Sequence, residues 1–133
     1  MNGGTCGLWM GPRALVAAVV GSDGRVHTVK VPRTDDAREG LVAWLVAGGV
    51  ADMILPDTLL REDSIGRVAI ASGLTVWTVS RALVEPLRLA AGISAGRSSA
   101  IAALLARMQR IPSYRAQLRR MVPPDPGRQL RLL

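Results

Sequence analysis

The segment Gly7–Val29, GLWMGPRALVAAVVGSDGRVHTV, governs how the rest of the chain is read. It reads as a strand, a tight Ser22-Asp23-Gly24 turn and a second strand, with Gly24 free to take a positive φ. Beyond the turn Val26, Thr28 and Lys30 alternate with His27, Val29 and Val31. That period of two marks a strand with an open edge face, and Pro32 ends it. The run Gly7–Gly21 holds no carboxylate.

After the hairpin, RTDDAREGLVAWLVAGG predicts a helix capped by Asp35 or Asp36, with Glu39 three residues after Asp36 as in a capping box. Leu41, Trp44 and Leu45 share one face, and Gly48-Gly49 stops the helix. VADMILPD is a short strand buried on both faces. Asp57 follows it and is placed to cap the next helix, TLLREDSIGRVAIASG, which Gly73 closes. LTVWTVS is another buried strand. After residue 80 the chain turns helical. Ser80 can cap RALVE, and Pro86 can open a further turn. SAGRSSAIAALLARMQRI turns Ile101, Leu104, Leu105 and Met108 inward, and Pro112 opens a helix PSYRAQLRRM. The order is two strands, an optional third, then α-β-α-β-α-α. It predicts an α/β fold with a mixed sheet, a leading antiparallel hairpin, flanking helices and a helical C-terminal end.

Composition bounds the function. A chain of 133 residues is one domain burying roughly two-thirds of its unfolded surface. Residues 1–121 are expected to form it, and 122–133, VPPDPGRQLRLL, a Pro/Arg-rich tail. With no Phe and only Trp9, Trp44, Trp77 and Tyr114 as aromatics, the core is aliphatic. Residues 1–85 carry eight cations against nine acids, whereas 86–133 carry nine Arg against Asp125 alone. A near-neutral body with a basic end suits an anionic partner, because Arg–phosphate contacts release counterions. Cys6, alone and expected in a flexible N-terminal segment, excludes an intrachain disulfide and a Cys-based metal site. The start MNGGTCGLW lacks the basic region of a signal peptide, and the longest uncharged apolar run, Ala14–Gly21, is far too short for a membrane span. A cytoplasmic protein with no membrane partner is the expectation.

The order of elements is that of the ribonuclease H-like superfold. Within it, GSDGRVHTVKVPRTDDAREGLVAWLVAGG and SAGRSSAIAALLARM resemble the N-terminal region of DEDD-type transposases of bacterial insertion sequences. The resemblance spans roughly residues 7–108 and rests on order and texture. It implies a metal-dependent nuclease fold tied to mobile elements. The family's strand-one aspartate would fall near Trp9 or Met10, its strand-four carboxylate near Pro56 or Asp57, and its paired late aspartates near Gly96 and Ser99. Only Asp57 is acidic. Two-metal phosphoryl transfer needs several carboxylates to hold cations about 3.5–4 Å apart. The resemblance therefore implies a copy without catalytic residues, metal or cofactor.

Individual residues narrow the choice. Asp57 is the residual acidic candidate, either a metal ligand or a helix cap. Glu62 and Asp63 read as a solvated face, with Asp63 paired to Arg67 at i,i+4. His27 has no ligand or nucleophile at working distance in sequence and reads as an ordinary strand residue. GISAGRSSA lacks the ending of a phosphate loop. It nevertheless offers N–H groups at a helix N-terminus with Arg97 beside it, unless Ser94 or Ser98 caps them. Arg107, Arg110, Arg115, Arg119 and Arg120 are the candidate nucleic-acid-binding set, extended by Arg128 and Arg131. The other reading of those arginines is a solvated face whose stems cover apolar surface. Three functions follow: an inactive domain binding DNA, RNA or a protein partner; an oligomerising domain using its Leu130, Leu132 and Leu133 end; and a nuclease with an unrecognised acidic set.

Overall fold

The computed structural model describes residues 3–121. The opening segment forms three strands: β1 (Thr5–Met10), β2 (Ala14–Val20) and β3 (Val26–Pro32). The run from Gly7 to Gly21, read as one strand, is broken at Gly11-Pro12-Arg13. Pro12 has no N–H to give a ladder, and Gly11 N–H donates to Ala14 O at 2.9 Å to close the turn. Met10 then pairs with Leu15, and β2 returns antiparallel along β1 as far as Thr5↔Val20. The Ser22-Asp23-Gly24 turn forms as expected, with Gly24 at φ +83° and Gly21 N–H donating to Arg25 O at 2.9 Å.

The chain continues through α1 (Asp35–Ala47), β4 (Asp52–Pro56), α2 (Asp57–Glu62), α3 (Ile65–Ala71), β5 (Thr75–Val79), α4 (Arg81–Ala90), α5 (Ser98–Met108), α6 (Pro112–Arg115) and β6 (Arg119–Arg120). The sheet order is β3-β2-β1-β4-β5-β6. β1, β4 and β5 run parallel, while β2, β3 and β6 pair antiparallel to their neighbours. This is the α/β class anticipated from the order of elements, consistent with a ribonuclease H-like fold: leading antiparallel strands, a mixed sheet and flanking helices, with the described chain ending in the short strand β6 instead of a helix.

Strand periodicity sorts the core into two layers. Cys6 and Leu8 of β1, Leu15, Ala17 and Val19 of β2, and Met53 and Leu55 of β4 pack on Leu41, Val42 and Leu45 of α1 and Ile65 and Ala69 of α3. Trp9, Val16, Ala18 and Ile54 face the other way, against Val84 of α4 and Ile101, Ala102, Leu105 and Met108 of α5. Gly7 lets α5 lie directly on β1. A Cβ there would collide with Ala102 O and stand 2.6 Å from Ala106 N.

Several local expectations are corrected. Thr34, not Asp35 or Asp36, caps α1, its Oγ1 accepting from Ala37 N–H at 3.2 Å. Trp44 lies on the exposed side of that helix, at 39%. The single helix expected after β4 is two, broken at Asp63, whose extended backbone (φ −139°, ψ 150°) ends α2. Pro86 lies inside α4 rather than opening a new helix. The helix expected from Pro112 stops at Arg115, and Arg119–Arg120 instead extend the sheet beside Trp77 and Thr78. Cys6 is fully buried in β1 rather than in a loose terminus. The tail 122–133, with Arg128, Arg131 and its leucines, lies outside the described residues.

Candidate functional site

The ends of β1 and β4 and the start of α5 come together at one end of the sheet. Trp9 and Met10 lie at the end of β1, and Pro56 and Asp57 at the end of β4. α5 runs back along β1, bringing Gly11 near Ser98 and Gly7 near Ala102. A cleft of about 270 Å³ there is lined by Trp9, Gly96, Ser98 and Arg81. Its floor is apolar. Trp9 is 7% exposed, and the Arg81 guanidinium lies over its ring, 5.4 Å from the centroid.

Asp57 is the first residue of α2, whose N-cap position is held by Pro56. Its carboxylate does not cap its own helix. Asp57 Oδ1 accepts the backbone N–H of Arg81 at 3.3 Å, the first N–H of α4, so it ties the start of α4 to the end of β4. Trp9, Asp57 and Gly96 thus do not fit a pair of metal ions: the one carboxylate among them is engaged by an amide, and Trp9 presents a buried indole. Among the described residues no group of three or more His, Cys, Asp or Glu side chains converges to hold a metal.

Three other acids are engaged elsewhere. Asp63, expected on a solvated face beside Arg67, has a fully buried side chain that pairs with Arg33 and Arg38. Its carboxylate accepts from Arg38 Nε at 2.9 Å, Arg33 Nε at 3.1 Å and Ile65 N–H at 2.8 Å. Burial alone raises its pKa, but these hydrogen bonds outweigh it and hold the carboxyl below its usual range. Chain geometry explains the choice of partners: the break at Asp63 turns the carboxylate inward to the β3–α1 connection, whereas Arg67 is exposed on α3. Asp52 accepts from Trp77 Nε1 at 3.0 Å. Glu85 is bound by Arg88 at 2.6 Å, which holds its pKa down. His27 is exposed on edge strand β3. Burial pushes the Cys6 thiol up to about 12.

Of the candidate arginines, Arg110 and Arg115 lie toward the opposite end of the sheet, near Val20 and Thr5, whereas Arg119 and Arg120 lie along its β5 edge. Arg107 is exposed on α5. Arg110, just beyond the helix, donates from Nη2 to Val20 O at 3.1 Å and Gly21 O at 2.5 Å, clamping the end of β2. Arg115 Nε donates to Gln109 O at 2.9 Å. Arg119 and Arg120 project from β6, not from a shared helix face with Arg115. All five are exposed, but they form a discontinuous surface in which Arg110 has a structural bond.

A second group of cations escaped the sequence reading. The Gly11–Arg13 turn, the end of β3 and the start of α5 enclose a cleft of about 540 Å³ lined by Arg13, Lys30, Arg97, Ser98 and Ser99. The sequence signal was GISAGRSSA: neither Ser94 nor Ser98 caps α5, and Arg97 stands at its N-cap position. Arg13 and Lys30 are distant from it in sequence, and only the β1–β2 turn unites them. No protein-family model and no curated protein matches this chain.

Proposed function

We propose that the chain is a ribonuclease H-like domain without nuclease chemistry that binds nucleic acid through its phosphates. One observation carries the reading: residues 86–121 contribute seven Arg and no acid, on a fold whose expected metal-binding end holds an indole and an amide-engaged carboxylate instead. Arg107, Arg115, Arg119 and Arg120 offer exposed guanidinium groups, and each phosphate they neutralise releases counterions. The resemblance to insertion-sequence transposases makes mobile-element DNA the first ligand to try. Fluorescence anisotropy of labelled DNA and RNA against this protein tests the reading. Binding that weakens linearly in log salt, and weakens when Arg115 and Arg119 are changed to Gln, is the expected result. Binding that ignores both salt and these substitutions refutes it.

A further inference from the structure

The cleft beside Gly11 and the cleft over Trp9 adjoin along Gly11, Pro12, Gly96 and Ser98, which line both, and together make a groove. It starts at Lys30 on edge strand β3 and passes Arg13 and Arg97 to reach Arg81 and Arg88 on α4. Among the described residues Glu85 is the one acid along its walls, and Arg88 already holds it. Among the same residues, Arg13, Lys30 and Arg97 are in no ion pair, and all three are exposed. The uncapped N-terminus of the eleven-residue helix α5 opens between them, adding N–H donors and its positive dipole end.

We infer that this groove, in addition to the arginines of α5–β6, is a track for a nucleic-acid strand. The inference rests on the nucleic-acid reading above and adds the place and the contact type. Length favours an extended polyanion over a small anion: the groove crosses β3, β2 and β1, about 10 Å at the spacing of neighbouring strands, and continues to Arg81 and Arg88 on α4, enough for consecutive phosphates. Contact type follows from the floor. Trp9 is covered by Arg81 and offers no open ring face for base stacking. The groove therefore reads backbone charge, with little sequence preference.

The test compares three full-length proteins by anisotropy with a labelled single-stranded oligonucleotide of mixed sequence: the unsubstituted chain and two triple variants. The groove variant carries R13Q, K30Q and R97Q. A charge control carries R25Q, R61Q and R67Q, which removes the same three charges from exposed positions outside the groove. The groove variant is expected to bind at least about tenfold more weakly than the control. Its log K against log salt slope should be shallower by about 2, from three lost phosphates at about 0.7 each. Circular dichroism confirms that each variant is folded. Equal weakening of the two variants overturns the inference while leaving nucleic-acid binding in place. Absence of binding by the unsubstituted protein overturns the nucleic-acid reading itself. Undiminished binding of the groove variant with loss on R115Q and R119Q moves the contact to α5–β6 and overturns the groove. Equal competition by polyglutamate points to an acidic protein instead and also overturns it.

Discussion

The guanidinium of Arg81 rests 5.4 Å above the ring of Trp9, and its backbone N–H is held by Asp57. One residue of α4 thereby joins the ends of β1 and β4. The apolar stretch Leu8-Trp9-Met10 is a packed floor, with Leu8 in one core layer and Trp9 in the other. Removing the indole should therefore cost stability. Trp9→Ala is expected to lower unfolding free energy by about 3–5 kcal/mol, the range for a large buried aromatic, measured by urea denaturation.

Asp57→Asn keeps an acceptor for the Arg81 N–H, whereas Asp57→Ala removes it. The second should destabilise by about 1 kcal/mol, as loss of a helix cap does, and the first by less. Neither should alter any divalent-metal response. Magnesium-dependent cleavage that disappears with Asp57→Ala would instead identify Asp57 as a ligand.

The buried carboxylate of Asp63 makes stability depend on acid. Its folded pKa lies below its unfolded value of about 3.9. Its contribution is thus fully present above that value and is lost as pH falls through the folded pKa. Asp63→Asn should cost about 3–5 kcal/mol at pH 7, because Arg33 and Arg38 lose a buried partner. The variant's stability should also fall less between about pH 5 and pH 2 than that of the unsubstituted protein, on the order of one group's linkage. Thermal melts across that range check both effects.

Gly7 and Gly40 should respond in opposite directions. Gly7→Ala drives a methyl into the backbone of α5 at Ala102 and Ala106, and a loss of about 3 kcal/mol or more is expected. A methyl on Gly40, in α1, would meet no atom within 4 Å, so Gly40→Ala should gain about 0.5–1 kcal/mol. Paired urea titrations of the two variants read both signs.

Cys6 should be inert in the folded protein. A thiol buried in β1, with its pKa pushed up to about 12, presents almost no thiolate at neutral or mildly basic pH. Thiol-reactive dye should label it only on unfolding, at a rate that follows denaturant.

Much of the fold was legible because periodicity and turn chemistry agree locally. Val26–Val31 alternates as an edge strand, and Gly24 and the glycines after α1 stop their elements where expected. What escaped depends on partners far along the chain. Nothing near Asp63 in sequence announces Arg33 and Arg38, so its nearest cation, Arg67, looked like its partner. Arg119 and Arg120 read as helical until β5 gave them an edge to pair with. Pro12 was the local signal for the first turn, and the long apolar run around it hid that break. In the candidate site, Arg97 was legible as a helix start, whereas Arg13 and Lys30 join it only through the β1–β2 turn and the register of β3.

Binding without cleavage can be read on one gel. End-labelled DNA and RNA are incubated with the full-length protein in magnesium or manganese, and native and denaturing lanes are run side by side. A retarded complex that dissolves as salt rises, containing nucleic acid of unchanged length, is the expected result. Shortened strands that require the metal, or no retarded complex at low salt, would contradict it.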